Sequence, residues 1–135
     1  MTLTATTALH PVTGRDPSTA PRVAVYRNLH RGAWSIRAEQ GPHKGRLLGH
    51  ATAVALTDCT MRVGRAAALR IANGAAREVH AWVIGTLVGQ ASIDDPTRLV
   101  YRPRERPEFY AAATGRTVWT APRVIFTDRA YIATP

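Results

Sequence analysis

The segment that most limits the fold is the apolar run EVHAWVIGTLVG at residues 78–89. Large apolar side chains occupy both alternating faces of this run. They are Val79, Val83 and Leu87 on one face, and Trp82, Ile84 and Val88 on the other. A strand that is covered on both sides has this pattern, whereas a strand with one wet face alternates apolar and polar residues. The run therefore predicts a central strand, and a fold that is built around a sheet.

Shorter runs elsewhere have the composition of strands, and turn residues separate them. RVAVYRNL and AWSIRAE, within residues 22–39, predict a hairpin with a tight turn at His30-Arg31-Gly32. Residues 46–58 predict a strand with a bulge at Gly49, and CTMRV predicts the next one. ASIDDPT is expected to form a polar turn. Residues 98–110 begin as a strand and become an arm that prolines interrupt, and RVIFTDRAYIA predicts two short strands.

The rest of the chain predicts little regular structure. GRAAALRIANG, at residues 64–74, is the one helix candidate, because it is rich in alanine and ends in Asn-Gly. Residues 1–21 are rich in threonine and proline and are predicted to be a flexible tail. Residues 22–135 are then a single basic domain. The expected fold is mainly β, or α+β: a small antiparallel sheet or barrel of about seven short strands with one short helix.

Arginine dominates the charge of this chain. Its 135 residues include 18 basic and 9 acidic side chains, which gives a formal net charge of +9. Lys44 is the only lysine, so nearly all of the basic residues are arginine. A GC-rich genome explains arginine in place of lysine, but it does not explain the excess over acidic residues. A field of this sign attracts polyanions, so we expect an anionic partner.

The ends and the apolar runs predict where the protein resides. The N-terminus has neither the basic start nor the long apolar segment of a secretory signal. The longest uncharged apolar stretch is much shorter than the ~20 residues that span a bilayer. Cys59 is the only cysteine, so no disulfide can form within the chain, as suits a reducing compartment. We expect a soluble, cytoplasmic protein with no membrane partner.

Standard catalytic patterns do not occur in this sequence. None of the serines lies in a G-x-S-x-G motif, and Asp58 beside Cys59 disfavours a thiolate. The spacing of His43 and His50 matches no common zinc site, and neither C-x-x-C nor H-E-x-x-H occurs. Both phosphate-binding glycine motifs are absent too. The sequence therefore predicts a protein that is not an enzyme and has no metal and no cofactor.

Arginine and aromatic residues cluster in the hairpin and in the arm, and a third arginine cluster surrounds the predicted helix. Guanidinium groups bind phosphates and aromatic rings stack on bases, so such clusters suit nucleotides and single-stranded nucleic acid. The three sets are Tyr26, Arg27, His30, Arg31, Trp34 and Arg37; Arg62, Arg65, Arg70 and Arg77; and Arg102, Arg104, Arg106, Phe109, Tyr110 and Arg116. The tryptophans Trp34, Trp82 and Trp119 are expected in the core more readily than in a stacking surface.

Four motifs resemble a group of small accessory proteins encoded by tailed phages and prophages. They are YRNLHRG at residues 26–32, the strand from Gly49 to Asp58, Gly64-Arg65, and the VHA of residues 79–81. The resemblance extends over about residues 23–132 and leaves the N-terminal tail outside. It implies a phage or prophage accessory protein, and it transfers no catalytic residue to this chain.

Together these features predict a non-enzymatic, β-rich module that binds a nucleotide signal or single-stranded nucleic acid. One rim of the site would hold Asn28, His30 and Arg31, and the other Arg102, Arg104 and Arg116. Arg37, in the same hairpin as the first rim, is a further ligand-binding candidate. Arginines would neutralise phosphates, and Trp34 or Tyr110 would stack on a base. Two alternatives stay open: a module that binds and inhibits a host protein, and a small structural virion component that forms homo-oligomers.

Overall fold

The computed structural model describes residues 1–28, 32–64 and 81–134. Several sequence predictions fall outside these ranges. The helix predicted for residues 64–74 lies there except for its first residue, and so does most of the hairpin turn, with His30 and Arg31. Also outside are Arg65, Arg70 and Arg77 of the arginine cluster and residues 78–80 of the apolar run. The described residues contain no helix that is long and apolar enough to cross a membrane.

The described residues form twelve β-strands, all paired antiparallel, and one short 3-10 turn at Pro17–Thr19. In chain order the strands are β1 (Thr2–Thr6), β2 (Leu9–Pro11), β3 (Arg22–Asn28), β4 (Ala33–Ala38), β5 (Leu47–Ala51), β6 (Val54–Val63), β7 (Ala81–Val88), β8 (Gln90–Asp94), β9 (Pro96–Val100), β10 (Tyr110–Ala111), β11 (Thr120–Phe126) and β12 (Ala130–Ala133). The prediction of a mainly β, antiparallel fold is confirmed, but the expected number of about seven strands was too low.

Ten strands form one sheet in the order β10-β9-β12-β11-β6-β7-β3-β4-β5-β2. The apolar strand β7 lies in its interior, as the two apolar faces of residues 78–89 predict. Both predicted hairpins, β3–β4 and β11–β12, are present. The two edge strands, β10 and β2, are only two and three residues long. Short edges limit the unpaired backbone that could join another sheet.

The large sheet curls so strongly that distant strands touch. Three strands separate β4 from β11, which would place them roughly 19 Å apart in a flat sheet. The Trp34 ring of β4 nevertheless lies 4.7 Å from the Phe126 ring of β11, in an edge-to-face arrangement. The curl does not close into a barrel, because the two edge strands, β10 and β2, do not pair with each other. Of the two architectures that the sequence predicts, the open sheet is the one observed.

The concave face of this sheet carries the main core. Its largest fully buried side chains come from strands that alternate apolar and polar residues. They include Val23, Val25, Ile36, Leu48, Val54, Leu56, Val124, Phe126 and Ile132. Arg27 shares the face of Val23 and Val25, but it is exposed at the strand end, with its guanidinium 5.0 Å from the Trp34 ring. That arrangement is the one predicted for a long cation at the end of an apolar face.

The N-terminal residues correct the prediction of a flexible tail. Strand β1 pairs with β8 along its whole length, from Thr2 opposite Asp94 to Thr6 opposite Gln90. This two-stranded sheet covers part of the convex face through a small second core of Ala5, Ile93 and Ile125. Thr4 and Ser92 share a hydrogen bond of 2.7 Å on the opposite, exposed side. The sequence did not indicate these strands, because threonine and serine stabilise cross-strand pairs without producing an alternating apolar pattern.

The next N-terminal segment is also fixed. Strand β2 pairs with β5 so closely that a Cβ at Gly49 would collide with the carbonyl oxygen of His10. Glycine at position 49 therefore allows β2 to lie close to β5. It also lies next to the register shift between β4 and β5. Arg15 donates to the Leu47 carbonyl at 2.6 Å, and Ala20 is fully buried. These contacts attach residues 9–20 to the domain.

Two further local predictions are revised by the pairing. ASIDDPT is not a polar turn: residues 90–94 and 96–100 are strands, and Asp95 alone turns the chain between them with φ of 46°. Residues 46–58 are two strands rather than one, with the break at Thr52-Ala53. The bulge in the second of them lies at Asp58, where φ is 50° and the register with β7 shifts.

Candidate ligand-binding surface

The hairpin rim of the predicted site is described only in part. Asn28 is the last residue of β3, where its backbone lies opposite Ala33. Gly32 begins the described part of the chain again, with φ of 61° in the left-handed region that favours glycine. His30 and Arg31 lie outside the described residues, so their role in binding stays a prediction.

Trp34 belongs to the core. Its side chain is 8% exposed, its indole N–H donates to the Thr127 carbonyl at 2.7 Å, and its ring contacts Phe126. A buried indole normally satisfies its N–H in this way. A base cannot stack on a ring that is packed like this. Of the two stacking residues that the sequence predicts, only Tyr110 is left at the surface.

Arg37 lies on the convex face of β4 and is exposed. Its Nε donates to the Tyr26 hydroxyl at 3.0 Å, and Nη1 donates to the Gly45 carbonyl at 3.0 Å. The guanidinium lies 5.6 Å from the Tyr26 ring centre. Arg37 therefore holds the loop after β4 in place, and its remaining N–H groups face solvent.

Residues 101–118, between β9 and Trp119, are defined as the arm. They contain the irregular arm that the sequence predicts as far as residue 110, and they include the short strand β10. Phe109 and Val118 anchor it, since both are buried and the Val118 N–H donates to the Phe109 carbonyl at 2.9 Å. The Tyr101 ring packs on Phe109 with 5.0 Å between ring centres. The arm is therefore irregular in backbone but attached to the core at its middle and at its end.

Arg106 fixes the shape of the arm. Its Nη1 donates to the Gly115 carbonyl at 2.8 Å and its Nη2 donates to the Thr117 hydroxyl at 2.7 Å. Its Nε lies 3.7 Å from a Glu108 carboxylate oxygen, and its guanidinium lies 4.5 Å from the centre of the Tyr110 ring. One side chain thus joins both halves of the arm and covers one face of Tyr110. The sequence placed Arg106 in the arm cluster but did not reveal this structural role.

The other three arginines of the arm, Arg102, Arg104 and Arg116, are exposed. Arg102 forms a loose ion pair with Glu105, 3.7 Å apart, in which both side chains are more than half exposed. Such surface pairs contribute about 0–1 kcal/mol and exchange readily with solvent or ligand. Within the described residues neither Arg104 nor Arg116 has a carboxylate partner. The arm therefore presents positive charge on a fixed backbone.

The two predicted rims do not meet through the residues that the structure describes. Arg37 bonds to Tyr26 and Gly45, whereas Arg102 pairs with Glu105 within the arm. No hydrogen bond or ion pair links the described members of one rim to those of the other. Within the described residues the arm and the hairpin are therefore separate charged surfaces, and Arg31 lies outside those residues.

The convex face carries a depression that the sequence did not predict. Its volume is about 390 Å3, and its lining includes Arg22, Gln40, Thr60, Arg62 and Ile84. A single ion pair crosses it, from Arg62 to Glu39 at 3.3 Å. Arg22 is held at its side by a 2.7 Å hydrogen bond from Nη1 to the Asp58 carbonyl. The order β6-β7-β3-β4 in the sheet brings these residues together, so spacing along the sequence gave no signal.

Trp119 contradicts its predicted place in the core. Its side chain is 52% exposed, and Met1 is the one other large apolar residue with comparable exposure in the described part of the chain. The backbone around it is held, because the Met61 N–H donates to the Trp119 carbonyl at 2.9 Å. Its position directly after the arginine-rich arm was visible in the sequence, but its exposure was not.

The reactive groups of the described residues show no catalytic arrangement. Burial raises the pKa of the Cys59 thiol to about 12, so it is protonated at neutral pH. His, Cys, Asp and Glu side chains do not gather in threes or more anywhere within residues 1–28, 32–64 and 81–134. Asp95 binds the N-terminal ammonium at 3.1 Å, and Asp94 accepts a hydrogen bond from Thr2 at 2.6 Å. Those two carboxylates hold β1 against β8.

Comparison with known proteins places the chain among phage proteins. The model of a family described as the Mycobacterium phage L5 gene 82 protein matches residues 16–134. The gene 82 protein of Mycobacterium phage L5 is 30% identical over an alignment of 114 residues, which covers 79% of this chain and 90% of that protein. No solved structure matches this chain. The predicted resemblance to small phage proteins is confirmed at this level, and the individual motifs stay untested.

Proposed function

We propose that this chain, which belongs to the family of the gene 82 protein of Mycobacterium phage L5, is a non-enzymatic accessory protein that binds single-stranded nucleic acid. The observation that carries the proposal is the arm, where Arg102, Arg104 and Arg116 are exposed on a backbone that Arg106 fixes. The proposed setting is the cytoplasm of the infected host.

Charge and shape both favour a polymer over a single small molecule at the arm. The exposed arginines follow the chain from residue 102 to residue 116 on an irregular segment. Single-strand binders combine a positive surface that follows the phosphates with aromatic side chains that receive bases. Tyr110 supplies such a ring, although Arg106 covers one of its faces. A polymer gains from several such weak contacts at once, because each neutralised phosphate releases counterions.

The fixed backbone of the arm makes its surface suitable for binding. The arm loses little further entropy when a ligand arrives, because Arg106, Phe109 and Val118 already hold it. Arg106 is committed to the arm itself, whereas Arg104 and Arg116 have all their guanidinium donors free of carboxylates within the described residues. These two are the residues that we propose to contact phosphates most directly.

One observation favours a second candidate, a module that binds a host protein. Trp119 is more than half exposed beside the arm, and tryptophan and arginine are the residues most enriched at the energetic centres of protein interfaces. A protein partner that is retained after nuclease treatment of a cell extract would support this candidate over nucleic acid.

The test is a titration of the purified protein with a labelled oligothymidylate of about 12 nucleotides, a length within the site sizes of single-strand binding domains. We expect binding that weakens steeply with salt, with log K falling against log salt by about 0.7 for each phosphate contacted. Three to five contacts then give a slope between about −2 and −3.5. No binding at low salt would refute the proposal. Binding of a mononucleotide as tight as that of the oligomer would move the function to a nucleotide signal.

A further inference from the structure

The exposed side chain of Trp119 has no structural role that the fold explains. Tryptophan is among the residues that bury most area on average, and Trp34 in this chain is 8% exposed against 52% for Trp119. An indole that is left in water forgoes apolar burial that the fold could have used. Such an exposed ring calls for a partner more strongly than an exposed leucine would.

The backbone under Trp119 is fixed on both sides. The residue before it, Val118, is buried and bonded to Phe109 in the arm. The carbonyl of Trp119 accepts the N–H of Met61 at 2.9 Å, and the following residue, Thr120, lies opposite Thr60 in the sheet. The indole is therefore presented from a rigid position between the arm and β6, unlike a side chain at the tip of a loop.

An arginine of the arm precedes this ring in the chain. Arg116 is exposed and lies three residues before Trp119, a backbone distance of at most ~10 Å. Single-strand binders combine cations for the phosphates with rings for the bases, and Arg116 followed by Trp119 offers one of each.

We propose that Trp119 is the base-stacking platform of the nucleic-acid site, and that the bound strand runs from the arm to Trp119. This inference rests on the proposed function. It extends the site beyond the arm, and it replaces Trp34, which the core holds, with a tryptophan at the surface.

Tryptophan fluorescence and affinity together test the proposal. The probes are the oligothymidylate and an inorganic polyphosphate with a similar number of phosphates, which lacks bases. We expect the oligothymidylate to quench the protein's fluorescence and the polyphosphate to bind without doing so. Trp119→Phe should remove most of the quenching, and Trp119→Ala should weaken oligothymidylate binding about tenfold while polyphosphate binding is unchanged. The melting temperature of both variants should stay near that of the parent, since the ring is exposed.

The possible failures are distinguishable. If the parent binds oligothymidylate but Trp119→Ala binds it equally well, or if polyphosphate quenches as strongly as the oligomer, the stacking role is wrong and the arm proposal stands. If Trp119→Ala loses a host protein partner while its oligothymidylate affinity is unchanged, the stacking role is likewise wrong. If the parent binds neither probe, both proposals fail.

Discussion

Arg104 and Arg106 are two residues apart in the chain and have different roles. Arg106 uses both terminal nitrogens to join two parts of the arm, whereas Arg104 is exposed and pairs with no carboxylate among the described residues. The sequence indicated both as members of one basic cluster and gave no means to separate them. Their roles depend on where the Gly115 carbonyl and the Thr117 hydroxyl lie, which only the folded arm determines.

The tryptophans also show how little the sequence predicts about the place of a single residue. The prediction that these rings prefer the core is confirmed for Trp34 and wrong for Trp119. Both follow short apolar or small residues, so local composition does not tell them apart. Trp34 is drawn inward because it lies on the concave face opposite Phe126, whereas Trp119 precedes the strand that would have buried it.

Cys59 gives a prediction at the residue scale. Its burial raises its pKa from 9.0 to about 12. We expect the thiol of the native protein to resist a disulfide reagent at pH 8 and to react fully once denaturant is added. Because the folded pKa lies above the unfolded one, the contribution of this thiol to stability is complete below pH ~9 and is lost as the pH rises toward 12. Rapid labelling of the native protein would contradict its place in the core.

At the scale of the element, sequence patterns worked where one face of a strand is apolar. The hairpin β3–β4, the central strand β7 and the pair β11–β12 were all predictable from alternation or from a continuous apolar run. Strands β1, β2 and β8 were not, because Leu3, Leu9 and Ile93 are their only large apolar residues. Their stability comes from partners that are far away in sequence, such as Thr2 with Asp94.

The arm gives a prediction at the element scale. Arg106→Lys keeps the positive charge, and neither side chain gives trypsin a cleavage site because Pro107 follows. Lysine cannot bond the Gly115 carbonyl and the Thr117 hydroxyl together with a planar fork. Losing about 1 kcal/mol of net hydrogen bonding should speed tryptic cleavage after Arg104 and Arg116 roughly fivefold. The matched control is Arg102→Lys, which is also followed by a proline and should be cleaved at the rate of the parent. Equal rates for both variants would show that Arg106 does not brace the arm.

At the scale of the whole molecule, the curl of the sheet and the attachment of the N-terminus could not be read from the sequence. The curl brings β4 against β11, and residues 2–6 pair with a strand some ninety positions later. Neither the curl nor this pairing leaves a local pattern in the sequence. The sequence did indicate the fold class and the positive field. The position of Trp119 opposite Met61 depends on the register between β6 and β11.

Charge substitution in β1 tests whether the N-terminus is part of the domain. Ala5 faces the small core with Ile93 and Ile125, whereas Thr4 faces solvent. Ala5→Asp would bury an unpaired carboxylate, so it should detach β1 or lower the free energy of unfolding by about 3 kcal/mol. Thr4→Asp, the matched control, should change it by less than about 0.5 kcal/mol. Thermal denaturation measures both. Equal melting temperatures for the two variants would show that β1 does not contribute to the folded domain, as the prediction of a flexible tail implies.

The most direct test of the central claim compares two pairs of arginines for their effect on oligothymidylate binding. Arg104→Ala with Arg116→Ala removes two positive charges from the arm, and Arg46→Ala with Arg129→Ala removes two from exposed sites elsewhere. The measurement is the affinity of each variant over a range of salt concentrations. If the arm is the binding surface, the arm pair should weaken binding at least tenfold and reduce the salt slope by about 1.4, and the control pair should stay within about twofold of the parent. If both pairs weaken binding equally, the effect is one of net charge alone, and the arm is not the site.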